Sequence, residues 1–169
     1  FLNNIQFELW KNCTNGCDFC FNKGLPLSSK EDKIRILKEV RYRLVRLNYD
    51  YYDKIGFIGG ELFGNQLEDE DVFREFYKLF ELCIYLLQDK KINQINFTSN
   101  LLAEDNSKMY QILDLIKLSG LLNRFELCTS WDSKYRFHTI EKESIWHNNM
   151  LYIKNNYPDL QRHIEILPT

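Results

Sequence analysis

The chain has 169 residues, of which 44% are hydrophobic, 15% aromatic and 27% charged. This composition is ordinary for one globular domain and excludes an intrinsically disordered or low-complexity chain. A formal net charge of -2 gives no reason to expect a nucleic-acid partner. No apolar run approaches the roughly 20 residues of a membrane span, so no membrane partner is expected.

The two ends of the sequence bear on compartment and domain organisation. FLNNIQFELW lacks a basic region followed by a long apolar stretch, so no secretory signal is visible and we expect a cytoplasmic protein. The sequence predicts one domain over residues 1–169. A first residue other than Met is also compatible with the amino-terminal part of a longer protein.

Strands and helices are predicted to alternate along the chain. The first strand lies in NIQFELW, where apolar Ile5, Phe7 and Leu9 alternate with polar residues. The other predicted elements are a helix over about 30–47, a strand in KIGFIG, a helix over about 70–88, a strand in INQINFTSNL, a helix in SKMYQILDLIKLSG, a strand in RFELCTSWDS, a helix over about 140–156 and a strand in HIEILPT.

Two helix boundaries carry clear signals. Ser28 and Ser29 precede Glu31 and Asp32, which is the pattern of a capping box at a helix start. Gly120 stands where a glycine commonly ends a helix. These signals support the boundaries of the first and third helices.

The alternation of strands and helices predicts an α/β fold with a parallel sheet and right-handed crossovers. A doubly wound open sheet and a complete or partial barrel both fit this pattern. In both architectures, functional groups lie on the loops after the strands. The cysteine loop, Gly59–Glu61, Asn100 and Asp132 follow the first four predicted strands, so we expect them on one rim.

Three of the five cysteines, Cys13, Cys17 and Cys20, lie within eight positions. An odd number of cysteines in a chain without a secretory signal makes a disulfide framework unlikely and favours a metal or a cluster. Cys83 lies inside a predicted helix, where a free cysteine packs as a small hydrophobe. Cys128 lies in the fourth strand and is predicted to be a core or barrel-lining residue.

The three clustered thiols leave several ligand sets open. A structural zinc site needs four ligands, and His138, His147 or His163 could supply the fourth, although they show no ligand spacing among themselves. Unligated thiols are a further alternative. A four-iron cluster with only three protein thiolates would keep one iron open for a substrate.

The spacing C-x3-C-x2-C, with aromatic Phe19 directly before the last cysteine, resembles the signature of the radical S-adenosylmethionine (radical SAM) enzymes. The resemblance implies that Cys13, Cys17 and Cys20 hold a [4Fe-4S] cluster. It also implies that Phe19 belongs to the cofactor site.

Three further strand ends are similar to motifs of the same family. The Gly59–Gly60–Glu61 loop resembles the glycine-rich motif that contacts the methionine amino group of S-adenosylmethionine. The FTSN segment, with Thr98 and Asn100, resembles a third-strand motif. The TSWDS segment, with Ser130 and Asp132, resembles the family's fourth-strand motif. The resemblance implies cofactor contacts for these residues, and the alternative is that the polar residues after the third and fourth strands cap helices.

The resemblance implies a partial (β/α)6 TIM-like barrel. The predicted strands of this sequence number five, so we expect such a barrel to be truncated after the fifth strand. The family's fifth-strand motif that contacts adenine is not recognisable in HIEILPT.

The chemistry implied is reductive cleavage of S-adenosylmethionine to a 5′-deoxyadenosyl radical, which abstracts hydrogen from a substrate. The implied partners are a small-molecule or peptide substrate and an electron donor such as flavodoxin or ferredoxin. The alternative function is a non-catalytic zinc or iron-sulfur module with a structural or electron-transfer role.

Overall fold

The computed structural model describes residues 3–166. Within this range, strands and α-helices alternate as the sequence predicts. Their bounds are β1 Asn4–Glu8, α1 Lys30–Arg46, β2 Lys54–Ile58, α2 Glu70–Gln88, β3 Gln94–Thr98, α3 Ser107–Leu118, β4 Phe125–Trp131, α4 Ile140–Asn156 and β5 Gln161–Ile166. The last three residues of the strand predicted in HIEILPT lie outside the described residues.

The five strands form one parallel sheet in the order β1-β2-β3-β4-β5. This confirms the predicted α/β class. A doubly wound sheet would reverse its strand order, so that alternative is wrong for this chain. The sheet is open, because β1 and β5 do not pair with each other. Crossovers between neighbouring parallel strands are right-handed in nearly all proteins, and with this strand order the rule places the four helices on one face of the sheet.

Aromatic side chains fill the layer between the sheet and the helices. Phe80 of α2 lies in the middle, with ring centroids 6.0 Å from Phe57, 5.8 Å from Phe97 and 6.2 Å from Phe125. All four side chains are buried. Cys83, one turn further along α2, is fully buried in the same hydrophobic core as predicted, and burial raises the pKa of its thiol.

The opposite, helix-free face of the sheet carries the alternate residues of each strand, which are mostly polar. Cys128 lies on this face, with its Sγ 3.9 Å from Oε2 of Glu126. Partial burial, reinforced by that carboxylate, raises the pKa of Cys128 to about 11. The sequence left two positions open for Cys128, in the core or lining a barrel. The structure places it on the helix-free face, which is the face that a barrel would enclose.

Helix ends follow the predicted signals. The Ser29 side chain accepts a hydrogen bond from the backbone N–H of Asp32 at the start of α1. Gly120, just beyond α3, has a φ of 75°, a left-handed value that suits glycine. No helix within the described residues is long and apolar enough to cross a membrane.

Candidate functional site

The loops after β1 and β2 are joined along their backbones. The Gly60 N–H donates to the Trp10 carbonyl at 2.9 Å, and the Glu61 N–H donates to the Asn12 carbonyl at 3.2 Å. The ladder between β1 and β2 thus continues beyond the strands to the residue before Cys13. The cysteine loop therefore starts from a fixed point beside the Gly-Gly-Glu loop.

The two glycines of that loop are required by neighbouring backbone. A Cβ atom on Gly60 would overlap the carbonyl of Asn12, and one on Gly59 would overlap the carbonyl of Trp10. The family resemblance implies that this loop also contacts S-adenosylmethionine. In the folded chain, the missing Cβ atoms leave room for the segment that leads into the cysteines.

Glu61 is a buried carboxylate that joins the loops after β2 and β3. Its side chain is 5% exposed and accepts from Phe63 N at 2.9 Å, Ser99 Oγ at 3.0 Å and Asn100 N at 2.6 Å. Burial raises its pKa, while these hydrogen bonds act in the opposite direction. Ser99 was not singled out from the sequence, because a strand-end serine gives no signal of its partner.

Asn100 extends the connection from Glu61 to the cysteines. Its Nδ2 donates to Cys13 Sγ at 3.4 Å, and its Oδ1 accepts from Leu102 N at 2.8 Å. Cys13, Glu61 and Asn100, which come from three different loops, are therefore in one hydrogen-bonded group. Thr98, the other residue predicted from this strand end, is the last residue of β3 and pairs in register with Cys128.

Each of the three sulfurs accepts a hydrogen bond from an N–H group. Besides Asn100 at Cys13, Asn15 Nδ2 donates to Cys17 Sγ at 2.9 Å, and Asn22 N donates to Cys20 Sγ at 3.4 Å. Burial raises the pKa of the Cys13 thiol. Donors of this kind stabilise thiolates, which is the form that binds iron.

The two predicted site residues at the end of β4, Ser130 and Asp132, both accept hydrogen bonds from the loop that follows this strand. Ser130 Oγ accepts from Arg136 Nη1 at 2.6 Å. Asp132 is 1% exposed, and its Oδ1 accepts from the backbone N–H groups of Lys134 and Tyr135. The residue that caps α4 is Thr139, so the alternative that Ser130 or Asp132 caps the fourth helix is wrong.

Arg136 is a site residue that sequence reasoning missed. Its side chain is buried, its Nε has no hydrogen-bond partner, and its charge lowers the pKa of Glu61 against the effect of burial. The signal in the sequence that could have identified Arg136 is its position, four residues after Asp132 in a loop already expected on the rim.

A cavity of about 500 Å³ opens beside these groups. Glu61 and Asn100 line it from the loops after β2 and β3, Asn15 lines it from the cysteine loop, and Lys142 lines it from α4. This volume suits a small polar ligand. Phe19 lies on the cysteine loop and is 47% exposed, without joining the hydrogen-bonded group.

The cysteine loop fits an iron-sulfur cluster in ligand type and in the N–H donors at its sulfurs. Within residues 3–166, no three Cys, His, Asp or Glu side chains converge closely enough to hold a metal ion. The three sulfurs would therefore have to move together on binding. Of the histidines considered as a fourth ligand, His138 lies near this loop, with its Nδ1 3.9 Å from Oδ2 of Asp18.

Comparison with known proteins adds no assignment to this geometry. No protein-family model matches the chain. A search of curated proteins found no matching relative.

Proposed function

We propose that the chain is a radical SAM enzyme, or the radical-generating part of one. The observation that carries the proposal is the contact of Asn100 with both Cys13 Sγ and the Glu61 carboxylate. It places the three-cysteine loop and the Gly-Gly-Glu loop, which are distant in sequence, side by side at the carboxyl edge of a parallel sheet.

The strand order supports the finer part of the proposal, a partial barrel of the (β/α)6 type. Consecutive parallel strands with all helices on one face are the arrangement that a barrel uses. The polar helix-free face would then line the interior of the barrel. In this proposal the five described strands form the open part of such a barrel, because β1 and β5 do not pair.

Cys13, Cys17 and Cys20 would hold a [4Fe-4S] cluster as thiolates. When bound, the cluster would supply the electron that cleaves S-adenosylmethionine to methionine and a 5′-deoxyadenosyl radical, with flavodoxin or ferredoxin as a suitable electron donor. The substrate would be a small molecule or a peptide that loses a hydrogen atom.

The chain's own residues would bind and orient S-adenosylmethionine beside the cysteines. Asn15, Asn100 and Lys142 support this role, because their polar side chains line the cavity beside the cysteine loop. Glu61 would act mainly by holding the loops after β2 and β3 in position, since its oxygens already have three protein donors.

Anaerobic reconstitution tests the proposal. We expect a brown protein with about four irons and four sulfides per chain. Added S-adenosylmethionine should change the paramagnetic resonance spectrum of the reduced protein, and reduction should yield 5′-deoxyadenosine. A colourless protein that retains one tightly held zinc would instead favour the non-catalytic module.

A Cys17→Ala variant should form no 5′-deoxyadenosine while keeping its circular dichroism spectrum, because the substitution removes a ligand from a loop outside the helices and strands. Cys83→Ala is the matched control, since Cys83 is a buried thiol in α2 away from the rim. Cleavage that persists in Cys17→Ala would contradict the proposal.

A further inference from the structure

Asn15 connects the central cysteine to a lysine on another element. Its Nδ2 donates to Cys17 Sγ at 2.9 Å and to the Arg136 carbonyl at 2.8 Å, and its Oδ1 accepts from Lys142 Nζ at 2.8 Å. A lysine can only donate and a carbonyl can only accept, so the orientation of the Asn15 amide is defined by its partners. The amide N–H must therefore point at the sulfur.

The lysine at the end of this chain of contacts is itself held in place. Lys142 lies in the first turn of α4, where its backbone N–H donates to the Thr139 side chain at 3.3 Å. A cation in the first turn opposes the helix dipole, so its position there is unfavourable for the helix. Its ammonium instead polarises the Asn15 amide, which strengthens the hydrogen bond to the sulfur.

The other two sulfurs lack this arrangement. Asn100 Nδ2 and Asn22 N lie 3.4 Å from the sulfurs of Cys13 and Cys20, against 2.9 Å for Asn15 Nδ2 at Cys17. The backbone N–H of Asn15 is a second donor at Cys13. A hydrogen bond to a cysteine sulfur and a nearby positive charge both stabilise the reduced, more negative state of an iron-sulfur centre. Among the donors with a measured distance, the one at Cys17 is the closest to its sulfur and is itself bonded to a cation, and both features favour reduction.

We infer that Asn15 and Lys142 are positioning residues that raise the reduction potential of a cluster bound at Cys17, and so make its one-electron reduction by the external donor easier. The inference rests on the proposed function, because it requires that a cluster binds. It gives Asn15 and Lys142, which also line the cavity beside the cysteine loop, a role in the reduction of the cluster.

The test is a redox titration of the reconstituted protein, followed by paramagnetic resonance, with iron and sulfide content measured for each variant. Lys142→Met should lower the midpoint potential at unchanged iron content, because it removes the charge and leaves every sulfur contact. Asn15→Ala should lower it further, because it also removes the N–H at Cys17. Lys154→Met is the matched control, since Lys154 lies exposed in the last turn of the same helix, and its potential should equal that of the wild type.

Equal potentials for Lys142→Met, Asn15→Ala and Lys154→Met, with full iron content in all three, would overturn the inference and leave the proposed function standing. If Asn15→Ala assembles no cluster, Lys142→Met decides, because Lys142 contacts no sulfur. A wild-type protein that binds no iron would overturn the proposed function, and this inference with it.

Discussion

The aromatic layer behind the sheet and the loop layer at its carboxyl edge are both buried, but different forces hold them. Phe80 and its neighbours are stabilised by apolar burial and ring packing, which depend weakly on direction. Glu61, Asn100 and Arg136 are stabilised by hydrogen bonds, which require geometry. Loss of packing should therefore lower the stability of the whole domain, while loss of a loop contact should displace the site.

The largest effect on stability is expected in the aromatic layer. Phe80→Ala removes a fully buried ring and should lower the free energy of unfolding by about 3–5 kcal/mol. Tyr85→Ala on the same helix is the control, since Tyr85 is 60% exposed. Urea denaturation measures both, and similar losses for the two variants would contradict the assignment of Phe80 to the core.

A second substitution tests the loop layer through the backbone. Gly60→Ala should cost about 3 kcal/mol, because the new methyl group meets the carbonyl of Asn12, which cannot rotate away. Hydrogen exchange should also accelerate in residues 10–20. In the control Gly56→Ala, the new methyl group meets side-chain atoms of Asn96 and Gln6, which can move. A Gly60→Ala protein with unchanged exchange in residues 10–20 would refute this account of the glycine.

A smaller effect is expected at the carboxylate of the loop layer. Glu61→Gln keeps the side-chain volume but turns an NH2 group toward a donor, such as the Asn100 N–H. We expect a loss of roughly 1–2 kcal/mol, because an unsatisfied buried donor is partly offset by removal of a buried charge. Denaturation against the exposed control Glu104→Gln measures this, and a variant as stable as the control would show that these hydrogen bonds are dispensable.

The smallest effect is expected outside both layers. Glu39 and Arg43 form an ion pair at 2.7 Å on the exposed side of α1. Glu39→Gln should leave the urea midpoint unchanged within error, because exposed pairs are screened by water and salt. A clear shift would mean that surface charges contribute to stability as much as the two buried layers do.

Local patterns were sufficient for most of the secondary structure. The bounds predicted for α2 and α4 match Glu70–Gln88 and Ile140–Asn156, and α1 ends one residue earlier than predicted. The short 3-10 helices, such as Gly64–Leu67, were not predicted, because single turns have no apolar period to detect. The parallel sheet was also predicted, whereas its consecutive strand order was one of two alternatives.

The candidate site was predicted less completely. The cysteines, Glu61 and Asn100 were expected on one rim, and Asn100 does contact both of the others. Arg136 was missed, and so was the close packing of the two glycines against the backbone of Trp10 and Asn12. In each case the missing information was a partner distant in the chain, which spacing along one segment cannot supply.

By itself, the sequence determined the alternation of strands and helices, the three-cysteine spacing and the polar residues at three further strand ends. These are local properties, set by apolar period, by turn residues and by the order of residues within one loop. Tertiary structure alone decided the strand order, the burial of Glu61 and Arg136, and the contact of Asn15 with both Cys17 and Lys142. Those features depend on distances between segments up to 127 positions apart, which are set only when the sheet brings the loop ends together.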